Sequence, residues 1–263
     1  MRLLIVGPGR AGGALGLAAE SAGHEIVGVF TRSGAPFGWQ SCEWDTPVPD
    51  VDIVLIAVND DAIADVSLRL APIVAPAGVV AHLSGFVPVS VLHHLRKAGT
   101  AVGGFHPLQS LPDPETGARA LRGSFVGIGG DDLAIDMLTH LASTLGMEPF
   151  RLDDTARPAY HAAAAAAANF VVTSLAVSGD LFESAGIDPR VSRPLVERAV
   201  QNVFEKGSAA SLTGPIARGD IETVIGHLTA AHDVSEYVGR QFRLMAEATA
   251  IRAGREEDLH RWR

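Results

Sequence analysis

The sequence predicts an α/β domain over residues 1–153 followed by an all-α domain over residues 154–263. Three observations predict it. Short apolar runs alternate with helix-patterned stretches up to about residue 153. A glycine-rich turn joins the first apolar run to the first helix. Beyond residue 154 the alternation stops and only helical patterns remain.

The first element is the apolar run "LLIV" at residues 3–6, and "GPGRAGGALGLAAESAG" follows it directly. Gly7, Gly9 and Gly12 have the spacing of a dinucleotide fingerprint: strand, tight turn, helix. Gly7 permits the turn, Gly9 lets backbone approach a pyrophosphate, and Gly12 lets helix and strand pack closely. Amides at the helix N-terminus would face the phosphate charge. In a chain with 28 glycines the spacing alone is weak, but the strand before it and the Ala/Leu helix after it give the context of a Rossmann-like fold.

A second strand, "HEIVGVFTR", ends in Thr31, Arg32 and Ser33, with no carboxylate between Phe30 and Gly38. A site for NAD places Asp or Glu here for the ribose hydroxyls, whereas NADP needs neutral or basic groups. Arg32 can pair with a phosphate, and Thr31 and Ser33 can donate hydroxyls. NADP(H) is therefore the expected cofactor.

The alternation continues through "VDIVLIAV", the helix "IADVSLRLAPIV", the strand "GVVAHLSG", a helix "VPVSVLHHLRKAG" and the strand "AVGGFHPLQSL". The strand "SFVGIGG", the helix "DLAIDMLTHLASTLG" and the short strand "EPFRLD" bring the total to seven strands. Strand ends at 59–61, 82–85 and 104–107 should converge where a nicotinamide sits. The candidate cofactor residues are Gly7, Pro8, Gly9, Arg10, Ala11, Gly12, Thr31, Arg32, Ser33, Val58, Asn59 and His82; Ser84 and His106 are candidates for substrate. His82 and His106 could equally be structural histidines held by backbone. His93 and His94 read as surface residues, and the histidines lack the spacing of a zinc site, so no metal is expected.

The helical part opens with "RPAYHAAAAAAANFVV" within a long helix, with a second turn or short helix expected after Gly179. Alanine is the strongest helix former, so the run itself needs no function; the polar residues bracketing it, His161 and Asn169, do. His161, Ala165 and Asn169 are four apart and share one face of a regular helix. Neither the apolar nor the polar residues form a simple surface stripe, which predicts a hidden helix. Asp188 and Pro189 start a further helix, with Pro194 a kink or a boundary. The loop "SAASLTGPIARGD" follows; the charged tail "REEDLHRWR" is expected to fray.

Composition narrows the class. A formal net charge of −9 argues against nucleic acid or anionic membrane as the main partner. The single cysteine, Cys42, excludes an intrachain disulfide, and a reducing, cytoplasmic compartment is the default. The sequence opening lacks the long apolar segment of a signal peptide, and no run reads as a membrane span.

Taken in order, "GPGRAGGALG", "HLSG", "GFHPLQS", "YHAAAAAAANF" and "LTGPIARGD" resemble, over essentially the full length, the Rossmann-like and DUF2520 domain-containing proteins. These are predicted NADP oxidoreductases with a helical second domain, and some are alternative ketopantoate reductases. Their wider relatives include the 6-phosphogluconate, 3-hydroxyacid, prephenate and pyrroline-5-carboxylate dehydrogenase or reductase families. The resemblance implies a homodimer. In the 3-hydroxyacid and ketopantoate relatives, a lysine on the first long helix of the second domain protonates the carbonyl, with an asparagine nearby. Here the only lysines are Lys97 and Lys206. His161 or Ala165 stands where the lysine is expected, and Asn169 matches the asparagine.

The expectation is an NADP-dependent oxidoreductase reducing a small 2-oxo acid, ketopantoate first among candidates. His161 would act as general acid and Asn169 would orient the oxygen. Arg218 would hold a substrate carboxylate with Thr213 beside it in an interdomain cleft; an Arg218–Asp220 arrangement capping a helix is the competing structural role. Reduction of a cyclic imine, and a non-catalytic NADP(H)-binding sensor, are the rival functions.

Overall fold

The computed structural model describes residues 1–47, 50–74 and 78–262. Among them seven strands form one sheet: β1 (Arg2–Val6), β2 (Glu25–Phe30), β3 (Ile53–Ile56), β4 (Val79–His82), β5 (Ala101–Leu108), β6 (Phe125–Gly130) and β7 (Glu148–Arg151). Their order is β2-β1-β3-β4-β5-β6-β7, and every adjacent pair is parallel except β5–β6. The helices are α1 (Arg10–Ser21), α2 (Ile63–Leu70), α3 (Pro114–Leu121), α4 (Asp132–Thr144), α5 (Arg157–Ala165), α6 (Val171–Ser184), α7 (Arg193–Lys206), α8 (Ser208–Ser211), α9 (Pro215–Arg218), α10 (Ile221–Val234) and α11 (Glu236–Arg252). The chain divides into two compact units, 1–165 and 166–263. Residues 154–165, including α5, thus count with the first unit.

In the first unit the central strands β3 and β4 are buried along their length because both sheet faces are covered there, whereas the edge strand β7 is mostly exposed. Successive residues alternate between two cores. Leu3, Leu55, Ala81 and Phe105 pack with Leu15 of α1 and Leu138 of α4. Leu4, Val54, Val80 and Val102 pack with Ile63 and Leu70 of α2 and with Leu92 and Leu95. In the second unit Val224, Leu228, Ala246 and Ala250 of α10 and α11 enclose Trp262, and Val177, Ala231 and Val238 form a smaller cluster.

Several local expectations are corrected. Helix α3 lies in a stretch for which the sequence reading offers no element; Asp113 accepts from the Thr116 amide at 2.7 Å and Pro114 occupies the first turn, a start signal present in the sequence. Val89–Ala98 is 3₁₀ rather than α, and His94, expected at the surface, is half-buried with His93 exposed. Gly179 lies inside α6, with no break there. The break comes earlier, as a π-helical turn over Ala166–Phe170. Asp188 caps a short 3₁₀ turn, Pro189–Ser192, and Pro194 sits in the first turn of α7, so the boundary reading of Pro194 holds. The tail does not fray through residue 262: it forms a 3₁₀ turn over Glu256–Arg261, and burial of the Trp262 ring supplies the reason. Arg263 lies outside the described residues.

The alanine helix is not hidden within the chain. Ala162, Ala163, Ala167 and Ala168 are exposed, as are Phe170, Val171 and Val172. The helical run Asp154–Ser184 is also long and apolar enough to cross a membrane by length and composition, contrary to the expectation that no run would qualify.

Candidate active site

A groove of about 900 Å³ runs along the C-terminal ends of β1, β2 and β3. It lies where the strand order reverses, the crevice in which open α/β sheets bind ligands. Of the residues expected to hold a cofactor, Gly7, Pro8, Gly9, Thr31, Arg32, Ser33, Val58 and Asn59 line it. Arg10, Ala11, Gly12 and His82 do not.

The glycines are explained by backbone geometry. Gly7 has φ +89°, and a Cβ there would lie 2.8 Å from the Ala57 carbonyl oxygen. A Cβ on Gly12 would collide with the Gly7 carbonyl oxygen, so Gly12 serves helix–strand packing. A Cβ on Gly9 would meet no protein atom within 4 Å. Packing within the protein therefore does not demand glycine at that position, the N-cap of α1, and its backbone is open to close approach by a ligand. This turn opens α1, whose first residues have no side-chain cap, so their amides remain available to an anion. Both sets of donors fit a dinucleotide pyrophosphate.

Further along the same strand ends lies a cluster of rings. His82 pairs in register with Gly104, which places Ser84 and His106 at one level beyond the paired ends of β4 and β5. His161 and Tyr160 of α5 reach this level. A Cβ on Gly85 would lie 2.8 Å from both His106 Nε2 and His161 Nδ1, so both rings pack against a backbone position that only glycine can fill. His161 Nδ1 is buried without a hydrogen-bond partner among the described residues. His106 Nδ1 lies 2.6 Å from the Tyr160 hydroxyl.

Protonation follows from burial. Burial first, then the neighbouring His161 and Arg157, pulls His106 down to about 4. Burial pushes Tyr160 up to about 12. Near neutral pH both groups are therefore neutral, and the phenol and the imidazole share one hydrogen bond whose donor is set by the His106 tautomer.

Arg157, not singled out from the sequence, holds this region together. Its side chain is wholly buried; Nη1 donates to the Ser84 carbonyl oxygen at 2.9 Å and Nε to Asp154 Oδ1 at 2.9 Å. Asp154 in turn accepts from the Val89 and Ser90 amides. Burial opposes ionisation of Asp154, but these amides and Arg157 outweigh it and hold the carboxyl below its ordinary value. A Cβ on Gly104 would collide with Arg157 Nη2, which explains a glycine in mid-strand.

Other predicted residues have different surroundings. His82 is wholly buried, with both ring nitrogens unpartnered among the described residues, and burial followed by Arg157 pulls it down to about 4; it packs behind the site and does not face the groove. Ser84 Oγ accepts from the Phe86 and Val87 amides, so it shapes its own loop. In the second unit, Asn169 lies exposed in the π-helical turn, where a four-residue spacing no longer marks one face. Thr213 is exposed. Arg218 pairs with Asp220 Oδ2 at 2.8 Å just before α10, the local arrangement weighed against carboxylate binding. Cys42 is free and half-buried, and burial pushes its thiol up.

Among known proteins, residues 124–249 match the family described as "Domain of unknown function (DUF2520)", so this domain is present in the chain. No curated protein matches. A protein of Bacteroides fragilis, provisionally assigned as an NADP oxidoreductase, superposes with a TM-score of 0.80 at 21% identity, covering 95% of this chain and 98% of that one. An imine reductase of Streptomyces aurantiacus gives a TM-score of 0.67 at 16% identity, covering 99% of each chain. The pyrroline carboxylate reductase of Plasmodium falciparum, solved with NADP bound, gives 0.62 at 12% identity, covering 96% of this chain and 98% of that one. These likenesses establish a shared Rossmann-like fold with a helical C-terminal part.

Proposed function

We propose that the protein is an NADP(H)-dependent reductase of a small carbonyl compound, with 2-oxo acids such as ketopantoate as the first candidates. The observation that carries this reading is the groove at the strand-order reversal, lined by the Gly7–Pro8–Gly9 turn and by Thr31–Arg32–Ser33 with no carboxylate at the end of β2. A pyrophosphate would lie on the turn, and Arg32 would take the 2′-phosphate as a bidentate partner. The bound dinucleotide supplies the hydride. The chain's own groups do the rest. His106 and His161, whose rings lie side by side against Gly85, are the candidates to hold a carbonyl oxygen and to deliver the proton. The fold likenesses to an imine reductase and a pyrroline carboxylate reductase support a second reading, reduction of a cyclic imine. A substrate that is already an iminium ion needs no proton at the reacting bond, which suits a helix α5 without lysine.

The apolar face of the second unit supports a homodimer. Helix α7 buries none of its residues, and Leu195 and Phe204 on it are 70% and 87% exposed. A 14-residue helix with this much bare apolar surface is expected to be covered by a partner, here a second copy of the chain.

The test is a titration of NADPH and NADH followed by a screen of 2-oxo acids and cyclic imines. NADPH should bind more tightly than NADH, and Arg32→Ala should remove the difference; equal affinities in the parent protein overturn the cofactor assignment. On an oxo-acid substrate, His161→Gln should slow turnover about 10²–10⁴-fold with NADPH binding intact. Parent-rate turnover by that variant across pH 6–8 removes His161 from the acid role.

A further inference from the structure

At its outer end the groove carries a stack built from three separate parts of the chain. The Trp44 ring lies on Phe30, with centroids 4.3 Å apart and planes 30° apart. The Arg69 guanidinium sits over the Trp44 ring, 4.1 Å from the centroid. Phe30 ends β2, Arg69 lies in the last turn of α2, and Trp44 comes from the segment after β2; all three line the groove with Thr31, Arg32 and Ser33. Among the described residues neither Arg32 nor Arg69 forms an ion pair or a side-chain hydrogen bond. Asp61 and Asp65 face the same groove and are exposed, and neither forms an ion pair with Arg69.

An exposed arginine near a helix C-terminus is ordinarily a solvated charge, free to sample many rotamers. Arg69 differs because the aromatic face fixes its plane. A guanidinium stacked on tryptophan keeps its N–H edge free for an anion, and its orientation is already set before a ligand arrives. The stack lies beside the end of β2, the place where a dinucleotide's ribose is recognised.

We propose that Arg69, held on Trp44, is a second cation for the adenosine 2′-phosphate, acting with Arg32 in the same groove. The ligand class is a 2′-phosphorylated adenosine. The inference rests on the cofactor reading above and adds a specificity residue to it. Two cations on one phosphate give a larger preference for the phosphorylated nucleotide than Arg32 alone, and they offset the carboxylates of Asp61 and Asp65.

Equilibrium binding of adenosine 2′,5′-bisphosphate and of 5′-AMP tests it without any turnover. Arg69→Gln should weaken the bisphosphate about tenfold or more, as expected for loss of a charge-assisted pair, and change 5′-AMP less than twofold. Trp44→Phe should keep most of the affinity. Trp44→Leu, which removes the platform but retains the charge, should fall between the parent and Arg69→Gln. Equal losses for both nucleotides in Arg69→Gln would mean that Arg69 only stacks on adenine, and no loss for either would mean that it takes no part; each result overturns the proposal while leaving the cofactor reading intact. If the parent protein binds 5′-AMP as well as the bisphosphate, the cofactor reading and this inference fall together. Unchanged thermal unfolding of the variants shows that a loss arises at the site.

Discussion

The two units solve the problem of burying apolar surface in opposite ways. In the first, every residue of β3 and β4 is buried, and even an arginine, Arg157, is enclosed with partners for its charge. In the second, α7 buries nothing and α6 buries only Val177. Both units have apolar sequences, so composition does not separate them. Each central strand of the sheet finds both of its neighbours within the same chain, whereas α6 and α7 display apolar side chains that their own unit leaves in water. The first unit covers both faces of its central strands, whereas the second leaves α6 and α7 largely bare.

The largest test of that contrast is Arg157→Met. The change leaves the Ser84 carbonyl without the Arg157 donor and takes one donor from the partly exposed Asp154, which keeps the Val89 and Ser90 amides, and should destabilise the first unit by about 2–4 kcal/mol. Denaturant unfolding followed with bound NADPH would read it. A loss below about 1 kcal/mol would mean that the buried pair does little for stability there, as exposed pairs do.

The complementary test attacks α7. Leu195→Glu and Phe204→Glu place charges on surface that is already exposed in the single chain, so they should not unfold it. If a second copy covers this face, each should weaken the dimer by about 1.5–3 kcal/mol, the worth of one buried large apolar side chain. Sedimentation equilibrium would show the shift toward monomer. An unchanged mass, or parent protein that partitions onto lipid vesicles instead of dimerising, breaks the proposal of a second copy.

The remaining test of the contrast concerns pH. His82 and His106 stay neutral in the folded first unit down to about pH 4, while the unfolded chain takes up protons at these positions near 6.5. Their contribution is therefore fully present above pH 6.5 and is lost as pH falls toward 4. The slope reaches up to about 1.4 kcal/mol per pH unit for each histidine. Urea midpoints between pH 7.5 and 4.5 should decline, and His82→Phe should flatten part of that decline. An identical slope in the variant would mean that His82 does not titrate differently on folding.

What could be read from the sequence was local. Gly7 and Gly12 announce the turn because a φ of +89° at Gly7 and the closeness of Gly12 to it are properties of a few consecutive residues. The strands announce themselves because coverage on both faces makes them apolar without alternation. The missing carboxylate after β2 is likewise a statement about neighbours in the chain. Tyr160 stands at the head of the alanine run, but nothing nearby in sequence points to His106, 54 positions away. Arg157 looked like any arginine before a proline until the fold enclosed it among Ser84, Asp154 and Gly104. Arg69 and Trp44 carry no shared motif and meet only because α2 and the segment after β2 border one groove. The exposure of the alanine helix was misread for the same reason: amphipathic pattern reports whether a face can be buried, not whether its own chain supplies the cover. The sequence by itself determined the sheet, the glycine turn and the chemistry of the β2 end, because these depend on backbone sterics and on runs of adjacent residues. Only the tertiary structure decided which titratable rings meet, which arginine is buried and which helices remain bare, because those depend on contacts between distant parts of the chain.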